Sequence, residues 1–596
     1  MMSERLFLGV EQSATGLKWV DRLGQREANL ALAMAQNHGF PDLITRVLAG
    51  RGVGIDDAVA FMDPTIKGLM PDPASLTDMA EAAERLAEAV ARRESVAIFG
   101  DYDVDGACSS ALLSRFLTHY GVANRIYIPD RIFEGYGPNP AAMRELASHA
   151  SLIVTVDCGT NSAAAIDEAK AAGADVVVLD HHQVGGALPA SALAVVNPNR
   201  EDDLSGQGHL CAAGVVFLAL VQTQRLLRET GASPAVLAPD LLGMLDLVAL
   251  ATICDVVPLK ALNRAFVVKG LLVARAQQNA GIAALARVSR IGEPLNAFHF
   301  AYLIGPRINA GGRIGDAGLG ARLLTLDDPN EAMRIAEELD RLNQERQAME
   351  TIMLEQAEAE AMLEMSAASG PAVLVTASDD WHPGIVGLIA ARLKEKARRP
   401  AFAISFNAHG VGSGSGRSIN GFDLGRLVRA AVERGLLVKG GGHAMAAGIT
   451  VERDKLGALR AFFEENAAEM VGQLRSNQSL AVDGALSASG ATVALFEMME
   501  RAGPFGSGHP QPVLVLPHHR LQDARSIGTN HVKATLVGAD GKKLSAIAFR
   551  AGGAALGDFL FNQLGQSLHV AGNLSLNHWN GSTTAQFRIL DAAKAY

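Results

Sequence analysis

Three short runs of β-branched and aliphatic residues, VAIF (96–99), LIVTV (152–156) and DVVVL (175–179), alternate with stretches of helical periodicity. Each run is followed within two residues by an aspartate: Asp101, Asp157 and Asp180. Runs this short, with little polar alternation, form strands buried on both faces. Helical stretches from Ala107 to Tyr120, after Pro140 and from Asn161 to Gly173 supply the crossovers a parallel sheet needs, and a further strand is expected around Arg125 to Ile128. The pattern predicts an α/β fold. In an open parallel sheet the ligand crevice lies outside the carboxyl ends of the strands, which is where these aspartates stand.

The 596 residues leave room for about three or four domains. Residues 1–75, punctuated by FMDP (61–64) and MPDP (70–73), read as an N-terminal extension packed on the first domain, and 76–330 as the parallel-sheet domain. Residues 331–365 lack Gly and Pro. They place Met333, Ala336, Leu339, Leu342, Met349, Ile352 and Met353 at mostly three- or four-residue steps, which predicts one long connecting helix. A smaller αβ domain is expected over 366–477, with strands PAVLVT (371–376) and PAFAISF (400–406) and Gly-rich loops at 410–416 and 440–448. From 478 to 596 alternating strand patterns with Asp-Gly turns, and with Asn580-Gly581 as a hairpin signal, predict a small all-β barrel.

Lys plus Arg (53) against Asp plus Glu (63) gives a formal net charge of −10, so nucleic-acid binding would have to come from local basic patches. The four cysteines, Cys108, Cys158, Cys211 and Cys254, form no CxxC pair and suit a reducing compartment rather than a zinc or disulfide framework. The N-terminus has no signal-peptide pattern. The most apolar stretch, 241–259, carries Asp246 and Asp255 and falls short of a membrane span. A soluble, cytoplasmic protein is expected.

The chemistry concentrates in four places. DYDVDG (101–106) sets Asp101, Asp103 and Asp105 at alternate positions, an arrangement that can converge oxygens on a hard divalent cation. A calcium EF-hand loop would need Glu at its twelfth position, which here is Leu112. Asp157 in VTVDCGT is by itself a turn or cap residue. Next to Asp180, His181 and His182 of LDHHQV at a neighbouring strand tip, it becomes a candidate ligand. Asp255 ends an apolar run in which a buried, unpaired carboxylate would be costly. Oxygen ligands with an imidazole suit Mn2+ or Mg2+, and such a centre can activate water and clamp a phosphoryl group.

GDYDVDG, VDCG, DHH and CDVVPL, in this order, resemble the DHH phosphoesterase superfamily. IPDRIFEGYG (128–137), IGPRINAGGRIGDA (304–317), WHPGIVGLIAARL (381–393), SGRSINGFDL (415–424), GGHAMAAG (441–448) and PFGSGHPQP (504–512) are similar to its bacterial single-strand-specific exonuclease branch, over roughly residues 75 to 596. The resemblance implies an α/β protein with a parallel-sheet DHH domain, a long connecting helix, a smaller DHH-associated αβ domain and a C-terminal OB-fold β-barrel.

It also implies metal-dependent 5′-to-3′ hydrolysis of single-stranded DNA to 5′-mononucleotides in repair and recombination. Asp101, Asp103, Asp157, His181 and Asp255 would hold two ions, Mn2+ or Mg2+, with Asp105 and His182 completing the catalytic set. Arg131, Ser415 and Arg417 would take the 5′ phosphate, and Arg307, Asn309, Arg313 and His443 the DNA. Cys254 stands where the family has a small residue, and reads either as a buried inert thiol or as a soft ligand. In the barrel, Arg520, Arg525, His531, Lys533, Lys542, Lys543 and Arg550, interleaved with Phe549, Trp579 and Phe587, would track and stack a single strand. The implied partners are single-stranded DNA with a 5′ end, a RecQ-type helicase and a single-strand-binding protein, with the chain itself a monomer. A DHH hydrolase of short oligonucleotides, cyclic dinucleotides or pyrophosphate and a catalytically silent replication scaffold are the alternatives.

Overall fold

The acid-tipped strands lie side by side. The computed structural model describes residues 5–131, 133–231, 237–365, 370–579 and 582–595. Strands β1 (Val96–Gly100), β2 (Asn124–Tyr127), β3 (Leu152–Val156), β4 (Asp175–Leu179) and β5 (Ala194–Val196) form one all-parallel sheet in the order β2-β1-β3-β4-β5. Every residue of β1 and β3 is buried, which accounts for the unbroken apolar runs. Val176, Val178, Ile153 and Phe99 pack on Met143, Leu146 and Ile166.

Helix α1 (Val104–His119) follows β1 and buries Leu112, Leu113, Phe116 and Leu117. It begins three residues before the sequence suggested, because Asp103 caps it: its Oδ1 accepts the backbone N–H of Asp105 (2.9 Å) and of Gly106 (3.1 Å). A Cβ on Gly106 would lie 2.3 Å from the Asp101 carbonyl oxygen, so the turn closes only around glycine. Beyond the sheet come α2 (Ala212–Glu229), α3 (Leu245–Cys254), α4 (Ala261–Arg275) and α5 (Gly305–Ile314). Helix α4 turns back along α3 so closely that a Cβ on Gly270 would meet the Leu245 carbonyl at 2.2 Å.

The long helix is α6 (Pro329–Met365). Its buried stripe runs through Ala332, Ile335, Ala336, Leu339 and Leu342, then takes in Asn343, Arg346 and Glu350, while Met349 and Ile352 turn outward. Next comes a sheet of β6 (Leu374–Ser378), β7 (Ala401–Phe406), β8 (Val411–Arg417), β9 (Lys439–His443) and β10 (Ala446–Glu452), in the order β9-β10-β8-β7-β6, with α7 (Val386–Ala397) between β6 and β7. The Gly-rich stretches expected to be loops are therefore largely strands. Their small residues are needed because the sheet face is crowded: a Cβ on Gly416 would come within 2.3 Å of Phe402, and one on Gly412 within 2.7 Å of Ile404.

The chain divides into two compact units, an α/β unit of Met70–Val257 and Ala265–Asn477 and a second unit of Met1–Leu69, Pro258–Arg264 and Gln478–Tyr596. The second unit holds β11 (Gly484–Ala485), β12 (Leu514–Ile527), β13 (His531–Val537), β14 (Lys543–Ala548), β15 (Ser567–Trp579) and β16 (Ser582–Lys594), in the order β11-β12-β13-β14-β16-β15. Pairing of β12 with β15 closes a five-stranded barrel. Asn580 and Gly581, the expected hairpin turn, lie outside the described residues.

The N-terminal stretch was expected on the first α/β domain, but it shares its core with the barrel. Met34, Ile44, Val47 and Leu48 belong to the same apolar cluster as Leu514, Leu536 and Phe587. The strand Lys18–Asp21 pairs in parallel with Ser479–Val482. Trp19 Nε1 donates to Asp591 at 2.9 Å, and Arg22 and Arg51 both bind Asp483 (2.9 and 2.6 Å). The physical reason is that a closed barrel leaves apolar surface at its ends, which the amphipathic N-terminal helices cover. No helix among the described residues is long and apolar enough to cross a membrane.

Candidate metal centre and anion pocket

The carboxyl ends of β1, β3 and β4 bring the sequence-predicted acids and histidines together. Asp157, one residue past β3, is held at φ 61° with its N–H donated to Leu179 O at 3.0 Å. Left-handed backbone on a non-glycine residue is strained and persists where its surroundings fix it. His181 Nε2 lies 3.2 Å from Asp157 Oδ1, 3.6 Å from Asp255 Oδ2 and 3.7 Å from Asp105 Oδ2. His182 Nδ1 lies 3.9 Å from Asp157 Oδ1. Donor atoms of Asp101, Asp103 and Asp157, of Asp105, His181 and Asp255, and of Asp157, His181 and His182 form three sets, each within 4.8 Å of one another. Asp255 caps the C-terminus of α3, so it arrives from a helix and not from the sheet.

Two of these groups are braced by backbone. Asp105 accepts the N–H groups of Ala212 (2.7 Å) and Ala213 (2.8 Å) at the start of α2. Asp180 accepts from Thr160 N (3.0 Å), His181 N (2.7 Å) and His182 N (3.1 Å), and lies 2.8 Å from His182 Nδ1. Burial would raise the Asp180 carboxyl, but the His182 hydrogen bond and charge, with Thr160, hold it well below the usual range. Burial would likewise lower His182, yet Asp180 and the charges of Asp101 and Asp255 raise it to about 9. Tyr136 adds a hydroxyl 3.0 Å from His182 Nε2. Neither Asp180 nor Tyr136 had been assigned a role from the sequence.

The remaining carboxyls carry the cost of crowding. Burial first, and repulsion between neighbours second, pushes Asp101 and Asp157 well above the usual range and Asp255 up to about 9. Asp105 is raised as well, chiefly by burial. Asp101 Oδ1, Asp157 Oδ1 and Asp255 Oδ2 are buried with no hydrogen-bond partner among the described residues. Buried acceptors without donors are what a cation-binding site looks like before the cation is counted. The donor set, all oxygen and imidazole, fits a hard divalent ion. Cys254 stays outside it: its thiol donates to Phe300 O at 3.4 Å, and burial pushes it up.

A second cluster lies across Tyr102. The Arg131 guanidinium sits 5.1 Å over the Tyr102 ring, whose hydroxyl is pushed up to about 12, first by burial and then by Asp101, against the opposing charges of Arg131 and Arg313. Arg417 Nη1 donates to Ser415 Oγ (2.8 Å), and a Cβ on Gly387 would lie 3.0 Å from its Nη2. Arg313 Nη1 donates to Gly384 O at 3.1 Å. Burial, then the charges of Arg131, Arg346 and Arg417, brings Arg313 down to about 10. Arg417 is lowered by burial and by Arg131. Among the described residues Arg346 has a carboxylate, Glu350, and otherwise these guanidiniums face one another. Such an array favours an anion with several oxygens.

The structure thus brings Arg313 near the residues expected at a 5′ phosphate, together with Gly384, Gly387 and Arg346. Arg307 is bound to Asp340 (2.8 Å) and to Leu303 O, and Asn309 is half-buried on α5. His443 is exposed at the end of β9. In the barrel unit Phe587 is in the core, so it is not available to stack a base. Phe549 is half exposed, with the Arg588 guanidinium 5.3 Å from its ring and His531 beside it. The side chain of Trp579 is outside the described set.

Residues 95–252 match the DHH family N-terminal domain, 370–469 the DHHA1 domain and 482–591 the RecJ OB domain. The chain is 36% identical over 567 residues to the single-stranded-DNA-specific exonuclease RecJ of Escherichia coli, covering 92% of this chain and 95% of that protein. It is 34% identical over 589 residues to the enzyme of the same name from Bacillus subtilis, covering 97% and 71%. A crystal structure of RecJ from Thermus thermophilus in complex with Mn2+ superposes with a TM-score of 0.77 at 29% identity, over 96% of this chain and 78% of that one. A corresponding Mg2+ complex gives 0.71 at 27% identity, over 96% and 77%.

Proposed function

The chain belongs to the RecJ family of single-stranded-DNA-specific exonucleases, and from that membership we propose that it hydrolyses single-stranded DNA from the 5′ end, releasing 5′-mononucleotides in repair and recombination. The observation that carries the reading is Tyr102, which follows Asp101 of the carboxylate cluster in sequence and carries the Arg131 guanidinium of the arginine cluster 5.1 Å over its ring. A terminal 5′ phosphate held by these arginines would leave the first phosphodiester to the acids.

Asp101, Asp103, Asp157, His181 and Asp255 would hold Mn2+ or Mg2+, which supplies Lewis acidity at the phosphate and at the attacking water. The protein does the positioning. Asp105 is fixed by the α2 N-terminus, and Asp180 keeps His182 cationic and aimed at the cluster. Arg131, Arg313, Arg417 and Ser415 hold the end of the strand, so the reacting bond is always the first. Water oxygen bonds to phosphorus, the P–O3′ bond breaks, and a proton goes to the departing 3′ oxygen. The shortened strand then carries a new 5′ phosphate, which the same pocket can receive for another round. A single-strand cutter depends on activities that open and coat duplex, so a RecQ-type helicase and a single-strand-binding protein are the proposed partners, in the cytoplasm.

The test uses Mn2+ with 5′-phosphorylated and 5′-hydroxyl oligonucleotides. Wild type should release mononucleotides and prefer the phosphorylated end. Asp157→Ala should abolish release while keeping single-strand binding. Substantial cleavage by that variant, or internal cutting by wild type, would sink the proposal.

A further inference from the structure

Helix α5 does not begin abruptly at Gly305. A turn of helix at Ala297–His299 and a π turn at Phe300–Ile304 run straight into it, so residues 297–314 are one continuous helical run within the α/β unit. Asn296 starts the run: its Oδ1 accepts the His299 N–H at 3.1 Å, and His299 Nδ1 accepts the Asn296 N–H at 3.3 Å. Pro306 has no N–H to return to Tyr302, and the Gly305 N–H reaches back to Phe300 O, which makes the wider turn. Such turns are rare and gather at functional sites.

The two sides of the π turn differ. Phe300 and Ile304 are fully buried, whereas Phe298 is 58% and Tyr302 67% exposed, with ring centroids 5.0 Å apart. Two large rings left in water forgo the burial that aromatic side chains usually contribute. From Tyr302, steps of four, three and four residues lead through Pro306 and Asn309 to Arg313, all partly exposed, while Ile308, Ala310, Gly311 and Gly312 turn inward. One face therefore joins the aromatic pair to the arginine cluster, over roughly 16 Å of helix.

The acids lie along this run. Near its end a Cβ on Gly312 would come within 2.6 Å of the Tyr102 carbonyl oxygen, between Asp101 and Asp103 in sequence. Near its middle a Cβ on Gly305 would come within 2.4 Å of Cys254 Sγ, whose thiol donates to Phe300 O, and Asp255 is the next residue. The order along the helix is thus Arg313, the two approaches to the metal centre, then Tyr302 and Phe298. A strand with its 5′ phosphate at the arginines and its first phosphodiester at the acids continues toward the rings. Arg275, exposed and donating through Nε to Leu295 O at 3.0 Å, adds a cation where the chain enters the run. Aromatic faces beside a cation hold a single strand without reading its sequence.

We propose that Phe298 and Tyr302 stack bases of the single strand downstream of the cleaved bond, and so tighten the hold on long strands over short ones. The proposal rests on the nuclease reading and deepens it: the α/β unit grips its substrate at nucleotides that are not themselves being cut.

The experiment is steady-state cleavage with Mn2+ of 5′-phosphorylated oligothymidylates of about four and about twelve nucleotides, with thermal unfolding and size exclusion of each protein. Wild type is set against a Phe298→Leu, Tyr302→Leu double variant, which keeps apolar bulk and removes both rings, and a Phe298→Trp, Tyr302→Trp double variant, which keeps the ring faces. The leucine variant should raise KM for the long strand about tenfold at similar kcat, so that the preference for long over short strands falls by the same factor. The tryptophan variant should retain that preference. Wild-type KM on the long strand in the folded leucine variant overturns the proposal, as does a fall in kcat at unchanged KM, an equal loss in both variants, or a wild type with no preference for length. So does a wild type that is dimeric where the leucine variant is monomeric, since the rings then cover a second copy of the chain. If the leucine double variant fails to fold, Tyr302→Leu alone decides by the same criteria. A wild type that cleaves neither strand is a different result, and overturns the nuclease reading beneath the proposal.

Discussion

Stripping divalent metal from the protein should make its α/β unit progressively less stable from about pH 6 to about pH 8. The sign follows from Asp255, whose carboxyl is raised from 3.8 to about 9 in the fold. Between those values the native state keeps a proton that the unfolded chain gives up, so stability is lost as pH rises through the window. At a little over ~1 kcal/mol per pH unit for one proton, this group alone removes a few kcal/mol across the window. His182 works in the same direction: raised from 6.5 to about 9, its contribution is fully present below 6.5 and lost as pH climbs through about 9. Asp101 and Asp157 are raised by the same burial, so their contributions have the same sign. Asp180, depressed below the whole window, contributes a constant.

For a unit of about 400 residues, with an unfolding entropy of about 2.1 cal/mol/K per residue, Asp255 alone is worth a few degrees in Tm. Mn2+ at 100 times its Kd returns about 2.7 kcal/mol. Because binding must displace those protons, its increment should grow with pH. Calorimetric unfolding in EDTA and in Mn2+ at both ends of the range, with Asp255→Asn alongside, reads all of this. Asp255→Asn should flatten the metal-free slope. A metal-free Tm that holds or climbs with pH, or a Mn2+ increment equal at both ends, would refute the reasoning.

Gly106→Ala places a methyl carbon 2.3 Å from the Asp101 carbonyl; overpacking of this kind costs about 1–3 kcal/mol, and thermal unfolding should show it together with a drop in kcat. Asp180→Asn removes the charge that holds His182 cationic, and should cut kcat/KM about 10- to 100-fold with Mn2+ affinity less affected, as steady-state kinetics against metal titration will show. Deleting residues 478–596 strips the apolar cluster from Met34, Ile44 and Leu48, so the truncated chain should bind hydrophobic dyes and aggregate; a well-behaved, monodisperse product on size exclusion would contradict the shared core.

The parallel sheet was legible because its strands are buried on both faces and leave no alternation to misread. The acids were legible because chemistry collects at strand tips, and Asp157, His181 and Asp255 do meet there. The sequence pattern starts α1 at Ala107, three residues late, because a cap acts through a side chain and Asp103 by pattern is only a ligand. Gly412, Gly414 and Gly416 were read as loop because glycine signals a turn locally, whereas here it makes room for Ile404, Ile449 and Phe402, which no local window shows. The surroundings of Asp180 and Arg313 are not legible for a related reason. Their work depends on which charged neighbours the fold places beside them. The N-terminal stretch was assigned to its neighbour in sequence, although its partners are some 450 or more positions away.

That last pairing has a consequence for biosynthesis. Residues 1–69 leave the ribosome well before the strands they pack against, which come after Gln478. At about 5–20 residues per second, the amphipathic helices wait roughly 20–80 s with their greasy faces uncovered while the intervening chain is made. Exposed apolar surface of that kind is open to aggregation until the barrel strands are made, so the N-terminal helices settle only once the chain beyond Gln478 has emerged.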